Sequence, residues 1–219
     1  MQRVLEPEVM DTWEESVAYD AMDFTVINKA FAERTIALAP ESALVLDAGT
    51  GTARIPILLC QQRPQWQVIG IDRSKMMLQI GAANVKQAGL QAQITLADED
   101  ASQLPYPDDY FDAVVSNSLV HHLPEPLPFL QELKRVLKPH GAIVLRDLLR
   151  PMDFATVDAL VGSIGDGYDA HQQKLFRDSL CAAFRLDELR ALLDTAGLQD
   201  VSLYQSSDRH WTADRSWAS

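Results

Sequence analysis

Apolar residues recur along the chain with two different periods, and the change of period divides the chain into two parts. Over residues 7–39 they fall three or four positions apart, a spacing that predicts amphipathic helices, and Pro40 ends this segment. From residue 43 onward, short apolar runs alternate with helical patterns. We therefore expect an N-terminal helical cap over residues 1–40 and a main domain over residues 41–219.

The main domain begins with five predicted strands, at residues 43–47, 67–72, 92–97, 110–118 and 142–149. Helical patterns lie between most of them, and the helix after the second strand has Ser74 as its expected N-cap and Gly89 as its expected end. Apolar strands that alternate with amphipathic helices are typical of a parallel sheet covered by helices on both faces.

The pattern changes after Pro151. Residues 151–185 are predicted to be helical with an interruption at "GSIGDGYD" (162–169), and we expect them to form a lid over the strand ends. A helix over residues 185–197 and a strand over 199–205 follow, and residues 209–219 are predicted to contain a last strand.

Composition and charge narrow the class of function. A chain of 219 residues that is 47% hydrophobic and 23% charged is typical of one globular domain. Its net charge of -12 disfavours a nucleic acid as partner, because phosphate neutralisation requires clustered Lys and Arg. The two cysteines are far apart in the sequence and there is no cluster of His and Cys, so we expect no structural metal site. Without a recognisable signal peptide or membrane span, we expect a cytoplasmic protein.

The stretch "LVLDAGTGTARIPILL" (44–59) carries the most chemical information, because it places a glycine turn between a strand and a helix. A dinucleotide fingerprint would have its third glycine at Arg54, where we expect a guanidinium to obstruct the packing of helix on strand. Asp47 would repel a pyrophosphate and attract an ammonium group. The turn therefore favours a nucleoside joined to an amino acid over NAD.

Asp72 ends the second predicted strand, about 20 positions after the glycine turn, where an acid can accept both hydroxyls of a ribose. The alternative is that Asp72 only caps the following helix.

Four segments resemble the successive motifs of the class I S-adenosylmethionine-dependent methyltransferases, in particular those that act on small molecules. They are "VLDAGTGTARIP" (45–56), "GIDRSKMML" (70–78), "DASQLPYPDDYFDAVVSNSLVHHL" (100–123) and "LKRVLKPHGAIVLRDL" (133–148). The third glycine of the family's turn is Ala53 here. We interpret this as a mild change, since the position requires a small residue more than a positive φ.

The resemblance implies an α/β fold: a Rossmann-like, doubly wound sheet of seven strands, mostly parallel with an antiparallel last strand, in a three-layer sandwich. It also implies S-adenosylmethionine as cofactor, with Asp72 on the ribose, and with the carboxylate of Asp100 and the backbone N–H of Ala101 on the adenine. Asp98 and Glu99 are alternatives for the acid that contacts adenine. The predicted cofactor-binding residues are Asp47, Gly49, Thr50, Gly51, Asp72, Arg73, Asp100, Ala101, Asn117 and Tyr19.

The stretch "SNSLVHHLPEP" (116–126) follows the fourth strand and would line the methyl end of the cofactor. The predicted catalytic residues are His122, Asp147 and His121, with His122 favoured over His121. We expect Asp147 to point into the cleft and to bind or deprotonate an acceptor; Arg146 could pair with neighbouring acids. Alternatively, the two histidines only cap or pack this turn.

Three further observations bear on the site. Tyr19, Asp20 and Asp23 match the region that closes over the cofactor in the family. Asp147 and Asn117 could be oxygen ligands if the acceptor required a metal. The lid contributes polar groups that could contact a small-molecule acceptor, and these are Tyr168, His171, Arg177 and Asp178.

Two other functions remain compatible with these motifs. One is a non-catalytic module that binds S-adenosylmethionine or S-adenosylhomocysteine. The other is an NAD-dependent oxidoreductase.

Overall fold

The computed structural model describes residues 1–6, 12–22, 24–164 and 168–218. The start of the predicted N-terminal helix at residues 7–11, the predicted role of Asp23 and the centre of the lid interruption at residues 165–167 lie outside these residues.

The core of the fold is one sheet of seven strands in the order β3-β2-β1-β4-β5-β7-β6. The strands are β1 Leu44–Ala48, β2 Gln67–Asp72, β3 Ile94–Asp98, β4 Phe111–Asn117, β5 Leu137–Leu148, β6 Ser202–Gln205 and β7 His210–Arg215. Strands β1 to β5 pair in parallel, whereas β7 is antiparallel to both β5 and β6. The predicted Rossmann-like sheet with a reversed last strand is confirmed.

Helices cover both faces of the sheet, as the alternation of strands and helices predicts. They are α1 Trp13–Asp20, α2 Thr25–Leu38, α3 Arg54–Gln62, α4 Lys75–Ala88, α5 Leu127–Val136, α6 Phe154–Ser163, α7 Ala170–Ala182 and α8 Leu186–Ala196, with a 3-10 turn at Val120–His122. The side chain of Ser74 accepts a hydrogen bond from Met77 N, and Gly89 ends α4 with a φ of 72°, so both predicted boundaries of that helix are confirmed.

Each face of the sheet has its own hydrophobic core, because successive residues of a strand point to opposite sides. Leu46 of β1 belongs to the core under α5 and α8, whereas its neighbour Val45 belongs to the core under α2 and α3. Phe31 of α2 is buried in this second core, so α2 packs directly on the sheet. Asp47 shares a face with Val45, which directs its side chain toward the start of α3.

Strand β5 begins at Leu137, five residues before the predicted start, and α5 ends directly before it at Val136. The reason is Pro139, which disfavours the helical conformation at Lys138. The extra strand residues pair with β4 across a shift of register between Phe111 and Ala113.

Helices α6 and α7 form the predicted helical segment after Pro151 and pack around a small core of their own. Its members include Val157, Leu180 and Leu148. Residues 1–6 lie against this unit, where Val4 N donates to the carbonyl of Cys181. No helix in the described ranges is long and apolar enough to cross a membrane.

Candidate active site

The glycine turn after β1 lies where the strand order reverses, with β2 on one side of β1 and β4 on the other. In sheets of this kind ligands bind at that point. Gly49 and Thr50 both donate their backbone N–H to the carbonyl of Ile71, and Gly51 N donates to Asp72 Oδ2 at 2.9 Å. The turn is therefore held against the end of β2.

Three residues of this turn have positive φ: Gly49 at 75°, Gly51 at 53° and Ala53 at 61°. A Cβ added to Gly49 would lie 2.9 Å from Leu119 Cβ, whereas one added to Gly51 would meet nothing within 4 Å. The expectation that Ala53 needs small size more than a positive φ is wrong. Its backbone is left-handed, because the chain must reverse there to begin α3, and in a residue with a side chain this costs about 1–2 kcal/mol.

Asp47 is a buried acid with one unpaired oxygen. Its Oδ2 accepts from Thr50 Oγ1 at 2.7 Å, while Oδ1 has no hydrogen-bond partner among the described residues. Burial, together with the charge of Asp72, raises the pKa of Asp47 to about 7. A cationic ligand group beside this carboxyl would supply the missing partner and favour its ionised form.

Asp72 touches backbone donors at the end of β2. Its Oδ2 accepts from Gly51 N and its Oδ1 from Ser74 N, each at 2.9 Å. The capping contact with Ser74 is thus present. Because each carboxylate oxygen has a second lone pair, the contact does not prevent Asp72 from also accepting ribose hydroxyls.

The residues predicted near the adenine contact one another at the neighbouring strand end. Arg73 Nη1 lies 2.8 Å from Asp100 Oδ2, and Asp100 Oδ1 accepts from Ser102 N. Ala101 beside them is buried. The roles of Arg73, Asp100 and Ala101 toward adenine stay predictions.

Two neighbouring openings share part of their lining, and one of them lies at the glycine turn. The first, which we name the turn cleft, measures about 470 Å³ and is lined by residues that include Gly49, Thr50 and Gly51. The second, the lid cavity, measures about 260 Å³ and is lined by residues that include His121 and His122. Residues that line both are Tyr19, Met22, Phe24, Asn28 and Asn117. The predicted residues that line one or both spaces are Tyr19, Gly49, Thr50, Gly51, Asn117, His121 and His122. Those that line neither are Asp47, Asp72, Arg73, Asp100, Ala101 and Asp147.

Tyr19 and Asn117 lie at the junction of the turn cleft and the lid cavity. Burial, with the charges of Asp72, Asp147 and Asp20, raises the pKa of the Tyr19 hydroxyl to about 12, so it is a neutral donor at physiological pH. The side-chain oxygen of Asn117 accepts from Arg146 Nε at 2.9 Å.

Arg146 does not make the predicted pair with an acid. It lies directly opposite Asn117 in the register of β4 and β5, so its guanidinium reaches the Asn117 amide and the carbonyl of Ile27 instead. Burial lowers the pKa of Arg146 to about 10. The contact orients the Asn117 side chain.

Arg54 makes a bidentate ion pair with Asp20 of α1, with distances of 2.9 and 2.6 Å. Its side chain is half exposed and leaves the packing between α3 and the sheet undisturbed, contrary to the expected obstruction. This pair ties α1 to the start of α3 beside the glycine turn.

Asp147 is fully buried behind His121, so the expectation that it points into the cleft is wrong. Its Oδ1 lies 2.5 Å from His121 Nδ1, and its Oδ2 accepts from His121 N. Burial alone would raise the pKa of Asp147, but the charge and hydrogen bonds of His121 outweigh burial and lower it. Because the Asp147 side chain is fully buried, it can influence an acceptor only through its contact with His121.

His121 and His122 belong to the 3-10 turn rather than to the start of the next helix. Their rings lie 3.9 Å apart, and His122 Nδ1 contacts the carboxylate of Glu6. Glu6 also accepts from Ser179 of α7. Sequence reasoning missed Glu6, since nothing in the local pattern places residues 1–6 beside a turn that lies more than a hundred positions away.

His210 is a second missed residue, at the start of β7 and on the wall of the lid cavity. Burial, with the charges of Arg146 and Arg209, lowers its pKa to about 4. The sequence could have indicated this position. If the last strand is antiparallel to the others, its first residue lies at the same edge of the sheet as the last residues of the parallel strands.

Comparison with known proteins agrees with this geometry. A family model described as a methyltransferase domain matches residues 46–145. Demethylmenaquinone methyltransferase of Bacillus pumilus is 30% identical over 203 residues, covering 85% of this chain and 86% of that protein. The protein of the same name in Bacteroides fragilis is 32% identical over 142 residues, covering 63% of this chain and 58% of that protein, so the chain spans little more than half of that relative.

A solved S-adenosylmethionine-dependent methyltransferase from Aquifex aeolicus shares the fold, with a TM-score of 0.67 and 20% identity over 93% of this chain and 97% of that one. Sheet order, turn geometry and sequence matches together define the class. The chain belongs to the class I S-adenosylmethionine-dependent methyltransferases, enzymes whose cofactor is S-adenosylmethionine. This assignment argues against an NAD-dependent oxidoreductase.

Proposed function

We propose that this chain transfers the methyl group of S-adenosylmethionine to a small-molecule acceptor by in-line displacement. The observation that carries the proposal is the junction of the two spaces. The turn cleft begins at the glycine turn, the lid cavity ends at the histidine pair, and Asn117 and Tyr19 line both. A cofactor in one space and an acceptor in the other would meet there, and such alignment is the main catalytic contribution that this reaction requires.

The residues of the glycine turn and the two acids beside it, Asp47 and Asp72, suit S-adenosylmethionine, although of these only the turn itself lines the turn cleft. The unpaired oxygen of Asp47 is a buried acceptor for the ammonium group of the methionine moiety. Gly51 has open space where a side chain would project, so backbone can lie close beneath a bulky ligand. Asp72 would accept the ribose hydroxyls. The bound cofactor supplies a methyl group on a positively charged sulfur, which is already activated for transfer.

The lid cavity suits a flat, largely apolar acceptor that carries a hydroxyl group. Phe24 and Phe176 contribute aromatic surface, while His121 and His122 line the same space. Two relatives are named demethylmenaquinone methyltransferases, and this name supports a ring of the quinol type as acceptor. We therefore propose a hydroxylated aromatic ring, oriented with one oxygen toward the histidine pair.

The two histidines and Asp147 have different proposed roles. His122 would touch the acceptor oxygen and is the proposed catalytic residue, with His121 beside it. Asp147 is a positioning residue, because it holds His121 Nδ1 and has no access to the cavity. The predicted cytoplasmic location stays a prediction.

Calorimetry with S-adenosylmethionine, S-adenosylhomocysteine and NAD tests the cofactor assignment. We expect the two adenosyl ligands to bind and NAD not to bind. Asp72→Ala should weaken the adenosyl ligands at least tenfold, since it removes a bidentate acceptor for the ribose. Asp200→Ala is the control, because Asp200 is an exposed acid that pairs with Arg215 and lines neither space. Equal affinities in the two variants would remove the ribose assignment.

Turnover is measured as release of S-adenosylhomocysteine with a panel of hydroquinones and phenols. Formation of a methylated product with a member of this panel is the expected result. Normal binding of the adenosyl ligands with no product from any panel member would support the non-catalytic binding module instead.

A further inference from the structure

Glu6, His121 and His122 form a compact cluster at the wall of the lid cavity, and we name it the histidine-glutamate cluster. Each side chain offers one ligand atom, and these atoms lie within 4.8 Å of one another. His121 Nε2 is 3.9 Å from Glu6 Oε1, and His122 Nδ1 contacts the other oxygen of Glu6. The three side chains are therefore close enough to bind a single ion together.

The surrounding hydrogen bonds orient the cluster. Asp147 accepts from His121 Nδ1, so in the neutral imidazole the lone pair is on Nε2, on the side of Glu6. Ser179 Oγ donates to Glu6 Oε1 and holds the carboxylate in place. A carboxylate behind a histidine and a donor behind a carboxylate are the outer contacts that metal ligands commonly have.

The ligand set is also chemically selective. Two imidazoles and one carboxylate bind zinc in metallopeptidases and iron in non-haem oxygenases, in both cases with coordination positions left for water or substrate. Here His121 and His122 both line the lid cavity, so any remaining positions would face it. Cysteine, which would favour a closed structural site, is absent from the cluster.

We propose that the histidine-glutamate cluster binds one divalent transition-metal ion, with His121 Nε2, His122 Nδ1 and the Glu6 carboxylate as ligands. Its role in catalysis rests on the proposed function. An ion at this position would bind the acceptor oxygen and lower the pKa of the hydroxyl, so that its proton passes to water and the oxygen is held as an anion near Asn117. The two histidines would then act on the acceptor through the ion, and His122 would not touch the acceptor oxygen itself.

Metal titration of the full chain, prepared without a histidine tag and freed of metal with EDTA, tests the site. Zn²⁺ is followed by calorimetry, and Co²⁺ by its visible absorption, which reports the coordination geometry. We expect one ion per chain. Glu6→Gln and His122→Ala should each weaken binding at least tenfold, and Asp147→Asn should weaken it about 10–100-fold by releasing His121.

His171→Ala is the matched control, because His171 lines the same cavity but lies outside the cluster. It should bind the ion as the parent does. Circular dichroism and thermal unfolding verify that each variant is folded. Absence of saturable binding by the parent, or equal affinity in the parent, Glu6→Gln and His122→Ala, would overturn the proposal.

The test separates the site from the proposed function. If EDTA-treated protein still methylates an acceptor at the full rate, the catalytic role of the ion fails while the methyltransferase activity stands. If the ion binds with the expected variant pattern but no acceptor of the panel is methylated, the site stands and the proposed function fails.

Discussion

Gly49 and Gly51 are two positions apart in the same turn, yet their surroundings require glycine for different reasons. At Gly49 a side chain would collide with Leu119, a residue that packs against the core below the turn. At Gly51 a side chain would project into the turn cleft. The first position serves the packing of the fold, and the second keeps a ligand surface open.

Alanine substitutions should separate these two requirements. Gly51→Ala should cost roughly 1 kcal/mol of unfolding free energy for its positive φ, and it should weaken S-adenosylhomocysteine at least tenfold. Gly49→Ala should cost about 1–3 kcal/mol more than that, because its Cβ overpacks against Leu119. Urea unfolding and calorimetry measure the two effects. Equal loss of stability in both variants would contradict this difference.

Asp47 couples the stability of the protein to pH. Its pKa is about 7 in the folded chain and 3.8 ordinarily, so between these values the folded state holds a proton that the unfolded state has released. The unfolding free energy should therefore fall as pH rises from about 4 to about 7 and become level above that. The full effect is on the order of 4 kcal/mol, since each pKa unit corresponds to about 1.4 kcal/mol.

Asp47→Asn should flatten this part of the pH profile and stabilise the protein at pH 8. Urea unfolding at several pH values between 4 and 8 measures the change, with the parent chain as the reference. A variant that keeps the slope of the parent would show that another group causes it.

At the scale of elements, Arg3 connects the N-terminal residues to both the 3-10 turn and the lid. Its guanidinium lies 3.8 Å from the Phe184 ring. The same group donates to four backbone carbonyls, those of Ala182, Pro124, His121 and Leu123. One side chain thus satisfies the exposed carbonyls of two separate elements.

Arg3→Met should loosen these two elements and lower the unfolding free energy by about 1–3 kcal/mol. Amides of residues 119–123 should exchange faster with solvent, and Arg3→Lys should not restore their protection, because one ammonium cannot reach four carbonyls. Arg177→Met is the control: it removes an exposed lid pair with Asp158 and should cost less than about 1 kcal/mol. Unchanged exchange in Arg3→Met would refute this role.

For the whole molecule, a ligand in the turn cleft would contact the turn after β1, the last residue of β4 and residues of α1, so its binding should stabilise the entire fold. S-adenosylhomocysteine at a hundred times its Kd should add about 2.7 kcal/mol to the unfolding free energy. For a chain of this size the Tm should rise by roughly 5–10 °C. NAD at the same concentration should leave the Tm unchanged, and an equal rise with NAD would contradict the cofactor assignment.

The sequence alone determined the elements, the class of fold and the cofactor. The strand at "LVLDA", the cap at Ser74 and the end at Gly89 depend on residues only a few positions apart, so their signals are complete in the local pattern. The family motifs predict more than local structure, because the resemblance to the family also implies the order of the strands in the sheet.

Only the tertiary structure decided which side chains meet. Asp147 lies behind His121, Arg146 orients Asn117, and Glu6 faces the histidine pair across more than a hundred positions of sequence. Ala53 adopts a positive φ, which is uncommon for alanine and cannot be predicted from the residue type. Each of these features depends on strand register or on the docking of distant segments. Neither is encoded by local periodicity, because contacts between distant segments arise only when the whole chain has packed.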